Sequence, residues 1–295
     1  MARVETASLL VENAFPMPRL PRLPVLFASL ALLGVGLSSR GAAAQVNAEA
    51  LRANPLKPGF SVNFDGSFAL ATGNVKLFDL QSTGRVQYQT LYPAPPVPEG
   101  ETPPLPFIRQ RVLMAGSGRY SEANDKPVVS QSYLHMRWTG MWHPRVGTDV
   151  FVQHQYDRFF RLQRRSLAGA GLRVEIVHEP AFLWWGGTAY MLEYERINVQ
   201  PGAPDAPETL SHRWTNYLTE RLPLGDAVLL QSTTYFQPRF DDFTDYRVLE
   251  VLEGMGKVTD LLGFGLALTV LHDSAPPTGV KNTDVRLTTN VHLAL

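Results

Sequence analysis

Seven histidines, His135, His143, His154, His178, His212, His272 and His292, are scattered singly, and no pair stands at metal-ligand spacing. Ser211-His212 offers a nucleophile beside a base, but neighbours in a strand point to opposite faces, so they cannot act as a dyad. The chain has no cysteine, which removes disulfides, thiolate metal sites and thiol nucleophiles. Four glycine pairs, at 116/118, 169/171, 254/256 and 263/265, look like nucleotide loops only superficially. Each lies inside a strand pattern, where it reads as small residues on a crowded face. The acidic run Asp241, Asp242 and Asp245, with Asp273, could hold a divalent cation or touch lipopolysaccharide, or be a solvated loop. The richest candidate set is a series of charges on the polar faces of strands. Arg109, Arg111, Arg119, Arg137, Arg173, Arg213 and Arg286 are accompanied by Asp65, Asp79, Asp149, Glu175 and Asp284. Lining a narrow pore, they would favour anions or acidic sugars; paired across strands, they would plug a lumen, the reading preferred here.

The elements that must position these charges are strands. In Val285 to Leu295 the odd positions are mostly apolar and the even ones carry Arg286, Asn290 and His292. One face is therefore greasy and the other wet. Around Val129 to Trp142, Leu134, Met136, Trp138 and Trp142 alternate with Gln131, Tyr133, His135, Arg137 and Thr139. Summed along the chain, the pattern predicts an all-β, transmembrane antiparallel up-and-down β-barrel of about twelve strands. Short periplasmic turns are expected after strands four, six, eight and ten, and extracellular loops after the odd strands. A proline-rich insert at 93–106 cannot join a ladder and lands on the periplasmic side. Aromatic girdles are expected at both interfaces. Tyr88, Tyr92, Trp142, Trp184 and Trp185 would lie at the periplasmic ends, and Tyr120, Tyr156, Phe159, Phe160, Tyr194 and Phe236 at the outer ends.

Export is argued by Arg19 and Arg22 before an apolar stretch from Val25 to Leu37 and the run Ala42-Ala43-Ala44. This pattern predicts a signal peptide over 1–44, with Met1 or Met17 as the start, then a periplasmic lead over 45–58 and the barrel over 59–295. No later segment is apolar enough to span as a helix. With 27 basic and 27 acidic residues, no basic field invites nucleic acid. The expected partners are outer-membrane lipid and lipopolysaccharide, and the barrel-assembly machinery during insertion. The expected state is a monomer in the bacterial outer membrane, with no cofactor and no enzymatic activity.

Three segments resemble the salt-induced outer-membrane protein family, domain of unknown function 481. They are Ala71-Thr72-Gly73-Asn74, the run from Tyr156-Asp157-Arg158 through Gly169-Ala170-Gly171-Leu172-Arg173, and the C-terminal stretch with Pro238 to Arg247 and Asp273 to Asp284. The likeness spans Gly59 to Leu295. It implies an outer-membrane barrel with an envelope or osmotic (salt) stress role, and no catalytic residues transfer. The proline-rich insert and the terminal Leu295, where barrels usually end in Phe or Trp, depart from the pattern. The alternatives are a narrow channel for anions or acidic oligosaccharides, an outer-membrane hydrolase and a soluble periplasmic sandwich.

Overall fold

A computed structural model of the chain describes residues 57–73, 76–93, 104–225, 227–259 and 262–293; the side chains of Asp65 and of 290–295 are outside the description. The expected signal peptide, most of the lead and most of the proline-rich insert therefore lie outside the described residues.

The described chain is strand throughout. In order it forms β1 (Gly59–Ala71), β2 (Leu77–Leu91), β3 (Ile108–Ala123), β4 (Lys126–His143), β5 (Val146–Asp157) and β6 (Leu162–Glu179). It continues with β7 (Phe182–Ile197), β8 (Glu208–Leu224), β9 (Val228–Pro238), β10 (Tyr246–Lys257), β11 (Leu262–Asp273) and β12 (Thr283–Leu293). These form one sheet in which every strand pairs antiparallel with its sequence neighbours. No helix of the described residues is long and apolar enough to cross a membrane, which says nothing about strands.

The two-faced pattern becomes two surfaces. In β4, His135, Arg137 and Thr139 are buried while Leu134, Met136 and Trp138 are exposed. A soluble sandwich would do the reverse. The polar surface is concave, because side chains from strands that are not neighbours meet across it. Tyr217 of β8 donates to Asp149 of β5 at 2.7 Å, and Arg247 of β10 reaches Glu193 of β7 at 2.6 Å. Arg286 of β12 lies within electrostatic reach of Arg119 of β3 and Asp157 of β5. The fold is thus an up-and-down β-barrel with an apolar exterior and an interior of polar and charged side chains beside an apolar cluster of Tyr235, Leu249, Val251 and Leu271 on β9 to β11, the transmembrane architecture.

At the seam the structure departs from the expected closed ring. Among the described residues the ladder stops at β1 and β12, which are not paired with each other. Phe60 and Phe64 of β1 are 71% and 75% exposed, against 41% for Trp138 in the wall, because they lack a neighbour on one flank.

The barrel has a loop end, which bears the connections after the odd strands, and a turn end. The expected long connection after β3 is instead the two-residue turn Asn124-Asp125, both with positive φ (50° and 61°). Asn-Asp suits this geometry, which matches the twist of a hairpin. At the turn end, Tyr92 N–H donates to the Phe107 carbonyl at 2.9 Å and closes the base of the proline-rich insert.

Candidate functional site

The interior is built in layers. Nearest the loop end, β6, β7, β8, β10 and β11 each deliver charge to one point. Glu193 accepts from Arg247 at 2.6 Å and Arg213 at 3.1 Å, and Arg165 stands 3.6 Å away. Glu195 accepts from Arg165 at 2.7 Å and Arg247 at 3.2 Å. Arg247 also donates to Asp273 at 2.8 Å, and Arg213 to Asp245 at 3.0 Å. All three arginines and Glu193 are buried. Ions this far from water persist only when each is paired and hydrogen-bonded, as here.

A middle layer follows. Asp149 accepts from Thr139 and from Tyr217, and Arg137 lies 3.8 Å away. The Arg137 guanidinium sits 5.5 Å from both the Phe151 and the Tyr217 ring centroids. Arg173 donates to Tyr217 at 2.9 Å and to Glu175 at 2.6 Å, with its guanidinium 5.7 Å from the Trp185 ring. These aromatic side chains need room on the facing strands. A Cβ on Gly187 would stand 2.4 Å from the Tyr217 ring, and one on Gly169 would stand 2.4 Å from Phe151. The crowding expected of the glycine pairs is therefore real at 169/171, whereas 116/118 and 254/256 have ordinary contacts or more. Between the layers lies a cavity of about 30 Å³.

The loop end is covered. Arg161, between β5 and β6, donates to the Asn198 carbonyl at 2.8 Å and to the Thr278 carbonyl, and it stands 3.5 Å from Asp205. Asp205 accepts from the Thr278 N–H at 3.0 Å and its hydroxyl at 2.9 Å. Three connections thus meet over the mouth. The Thr278 N–H, its hydroxyl and Arg161 hold the Asp205 carboxyl below its ordinary range. Beneath them a void of only about 20 Å³ is lined by Phe160, Leu271, Pro276 and Val280 among others.

The candidate charges are distributed unevenly. Arg111, Arg137, Arg173, Arg213, Asp149 and Glu175 are buried in the lumen, and Arg111 donates to Gln89 at 3.1 Å. Arg119 pairs with Asp79 at 3.1 Å in a more open region. Arg286 and Asp284 on β12 are half-buried, and Asp65 lies on β1 opposite Thr83 with its side chain outside the description. Arg109 is the correction. The β2–β3 register shifts between Thr90 and Leu91, so Ile108 turns inward and Arg109 is exposed.

Sequence reading missed the centre of the network: Arg165, Glu193, Glu195 and Arg247. The signal was present, since Glu193 and Glu195 alternate with Leu192 and Tyr194 and so share the inner face of β7. Trp185 also differs from expectation, being buried against Arg173 rather than set in a girdle. Adjacent tryptophans at 184 and 185 cannot share one face.

The acidic run lies in a solvent-exposed loop whose carboxylates are paired. Arg239 clasps Asp241 at 2.9 and 2.6 Å, Asp242 accepts from the Thr244 N–H at 2.9 Å, and Asp245 is held by Arg213 and Arg239. Arg239 and Thr244 hold the Asp241 and Asp242 carboxyls below their ordinary range, and the Asp241 and Asp245 carboxylates raise Arg239. Among the described residues no group of His, Asp and Glu is arranged to hold a metal. Ser211 is buried inside, while His212 bonds the Tyr190 hydroxyl on the outer face.

No protein with a curated description matches this sequence. Among solved structures, a NanC porin aligns over 80% of this chain and 98% of its own, at 6% identity and a TM-score of 0.39. The family described as "Protein of unknown function, DUF481" matches residues 107–294, that is, β3 through β12 without the first hairpin. On that match, the chain belongs to the DUF481 family.

Proposed function

We propose that this chain is a monomeric outer-membrane barrel without enzymatic activity, whose lumen is sealed by paired charge and whose role lies in the envelope itself. The carrying observation is that Arg137, Arg173 and Arg213 each stand beside a carboxylate, at 3.8, 2.6 and 3.1 Å. A conducting anion would need those guanidiniums, and they are engaged. The apolar exterior supports hydrocarbon as the outer solvent, because exposed Leu, Met, Val and Trp on most strands would aggregate in water. The export pattern at the N-terminus supports the same location. Lipid, lipopolysaccharide and the assembly machinery are the partners such a location entails, and the envelope or osmotic-stress role is the one the family resemblance implies.

The test is planar-bilayer recording of refolded protein. No discrete current steps are expected. Reproducible anion-selective steps would replace this reading with the narrow channel. For the stress role, a deletion strain is expected to grow more slowly at high salt and to recover with the wild-type gene. Equal growth would remove that role and leave the sealed barrel standing.

A further inference from the structure

On the outer face near the loop end, Arg164 of β6 and Arg196 of β7 are direct partners in the antiparallel ladder, and both are exposed. Like charges directly opposite each other destabilise a strand pair. Arg196 is relieved in part by Glu208 at 3.6 Å. Arg164 lies 4.9 Å from the Tyr194 ring centroid, and among the described residues no carboxylate pairs with it. The two outward cations form a fork in which only Arg196 has a carboxylate beside it.

Just below the fork, toward the middle of the wall, a groove of about 400 Å³ opens on the same face, a size typical of ligand sites. Its walls are Met136, Val152, Leu192, Tyr194 and Leu210. Ser166 and Ala168 of β6, too small to fill the space between these larger neighbours, form its floor. His154 and Ser166, both lining the groove, hydrogen-bond each other at 2.9 Å, which satisfies two of its polar side chains.

A cationic fork above an apolar trough is complementary to one chemical class. We infer that this face binds a phosphorylated, acylated lipid, with the phosphate between Arg164 and Arg196 and an acyl chain along the groove. Guanidinium meets phosphate through paired charge-assisted hydrogen bonds, which a free hydroxyl cannot return. Phosphate alone would leave the groove empty, and an uncharged lipid would offer Arg164 no anion. The inference rests on the barrel spanning the outer membrane with its loop end at the outer leaflet, where phosphorylated glycolipid is the abundant acylated anion.

Native mass spectrometry of the detergent-purified full chain, titrated with diphosphoryl lipid A, its dephosphorylated form and inorganic phosphate, tests this. Wild-type protein is expected to retain one phosphorylated lipid in preference to the dephosphorylated form. Affinity is expected to fall roughly tenfold or more in the double variant Arg164→Gln/Arg196→Gln. Ala168→Trp, which fills the groove and leaves the fork, is expected to lose the lipid as well. Equal retention of both lipids, equal retention by the double variant, or full displacement by inorganic phosphate would overturn the inference. Insertion into vesicles, followed by heat-modifiable gel mobility, is read separately. A chain that inserts without lipid selectivity overturns only this inference, whereas one that fails to insert overturns the membrane reading with it.

Discussion

The wall from β4 to β10 and the seam between β1 and β12 obey the same alternation but have opposite fates. In the wall, inward charges such as Arg173 and Glu193 are 1% and 2% exposed and meet partners from two or three strands away. Beside the seam, the inward-facing Asn63 and Ser67 of β1 are exposed, and Arg119 of β3 and Asp79 of β2 pair while still wetted. Alternation sets which face a side chain joins. Curvature and a neighbour on each flank decide whether that face becomes an interior. The family match runs from β3 through β12 and so includes the dense ion-pair network.

The largest effect should come from the network's centre. Glu193→Ala leaves Arg165, Arg213 and Arg247 short of a shared anion in a buried site. Urea unfolding from vesicles, followed by tryptophan fluorescence, is expected to show a loss of about 3–5 kcal/mol. Arg119→Ala, in the more open region near the seam, should cost about 0–1 kcal/mol by the same measurement. Equal losses would erase the distinction between the two regions. On the outer face, Leu134→Arg is expected to cost about 2–4 kcal/mol in vesicles, as an ionised group facing lipid does. Next comes packing in the middle layer. Gly187→Val would drive a Cβ into the Tyr217 ring and is expected to cost about 1–3 kcal/mol.

The smallest effect concerns the mouth and follows pH. The Asp205 carboxyl is held below its ordinary range by Thr278 and Arg161, so the latch contributes fully above the unfolded value of about 3.9. It is lost only as pH falls through the depressed folded value. Hydrogen exchange at residues 274–282 is therefore expected to stay slow at pH of about 4 and to quicken only as pH falls below it. Asp205→Asn should exchange fast at every pH. Protection of that variant at the higher pH would show that the latch is not electrostatic.

How much of this was legible in the sequence depended on where the information is local. The bounds of β10, Tyr246 to Lys257, could be read from the polar connections on either side, although Val248-Leu249 and Val251-Leu252 break its period of two. Strand β4 and its inner row His135, Arg137 and Thr139 were equally plain. The turn at Asn124-Asp125 was overlooked although its residues suit positive φ, since a long loop was expected from the count of strands. Arg109 was misplaced because a bulge changes parity without leaving a mark in residue type. Glu193 and Arg247 were individually visible as inward charges. Their meeting was not, because it depends on how far the sheet curls between β7 and β10.

The central claim is that hydrocarbon bathes the Leu134 side of the wall while the Thr139 side is dry and polar. Because the chain has no cysteine, single variants Leu134→Cys, Met136→Cys and Thr139→Cys can each carry one bimane probe in reconstituted vesicles. The account predicts quenching by brominated lipid at 134 and 136, and none at 139. Quenching at 139 with none at 134 and 136, or equal quenching at all three by an aqueous quencher, would contradict it.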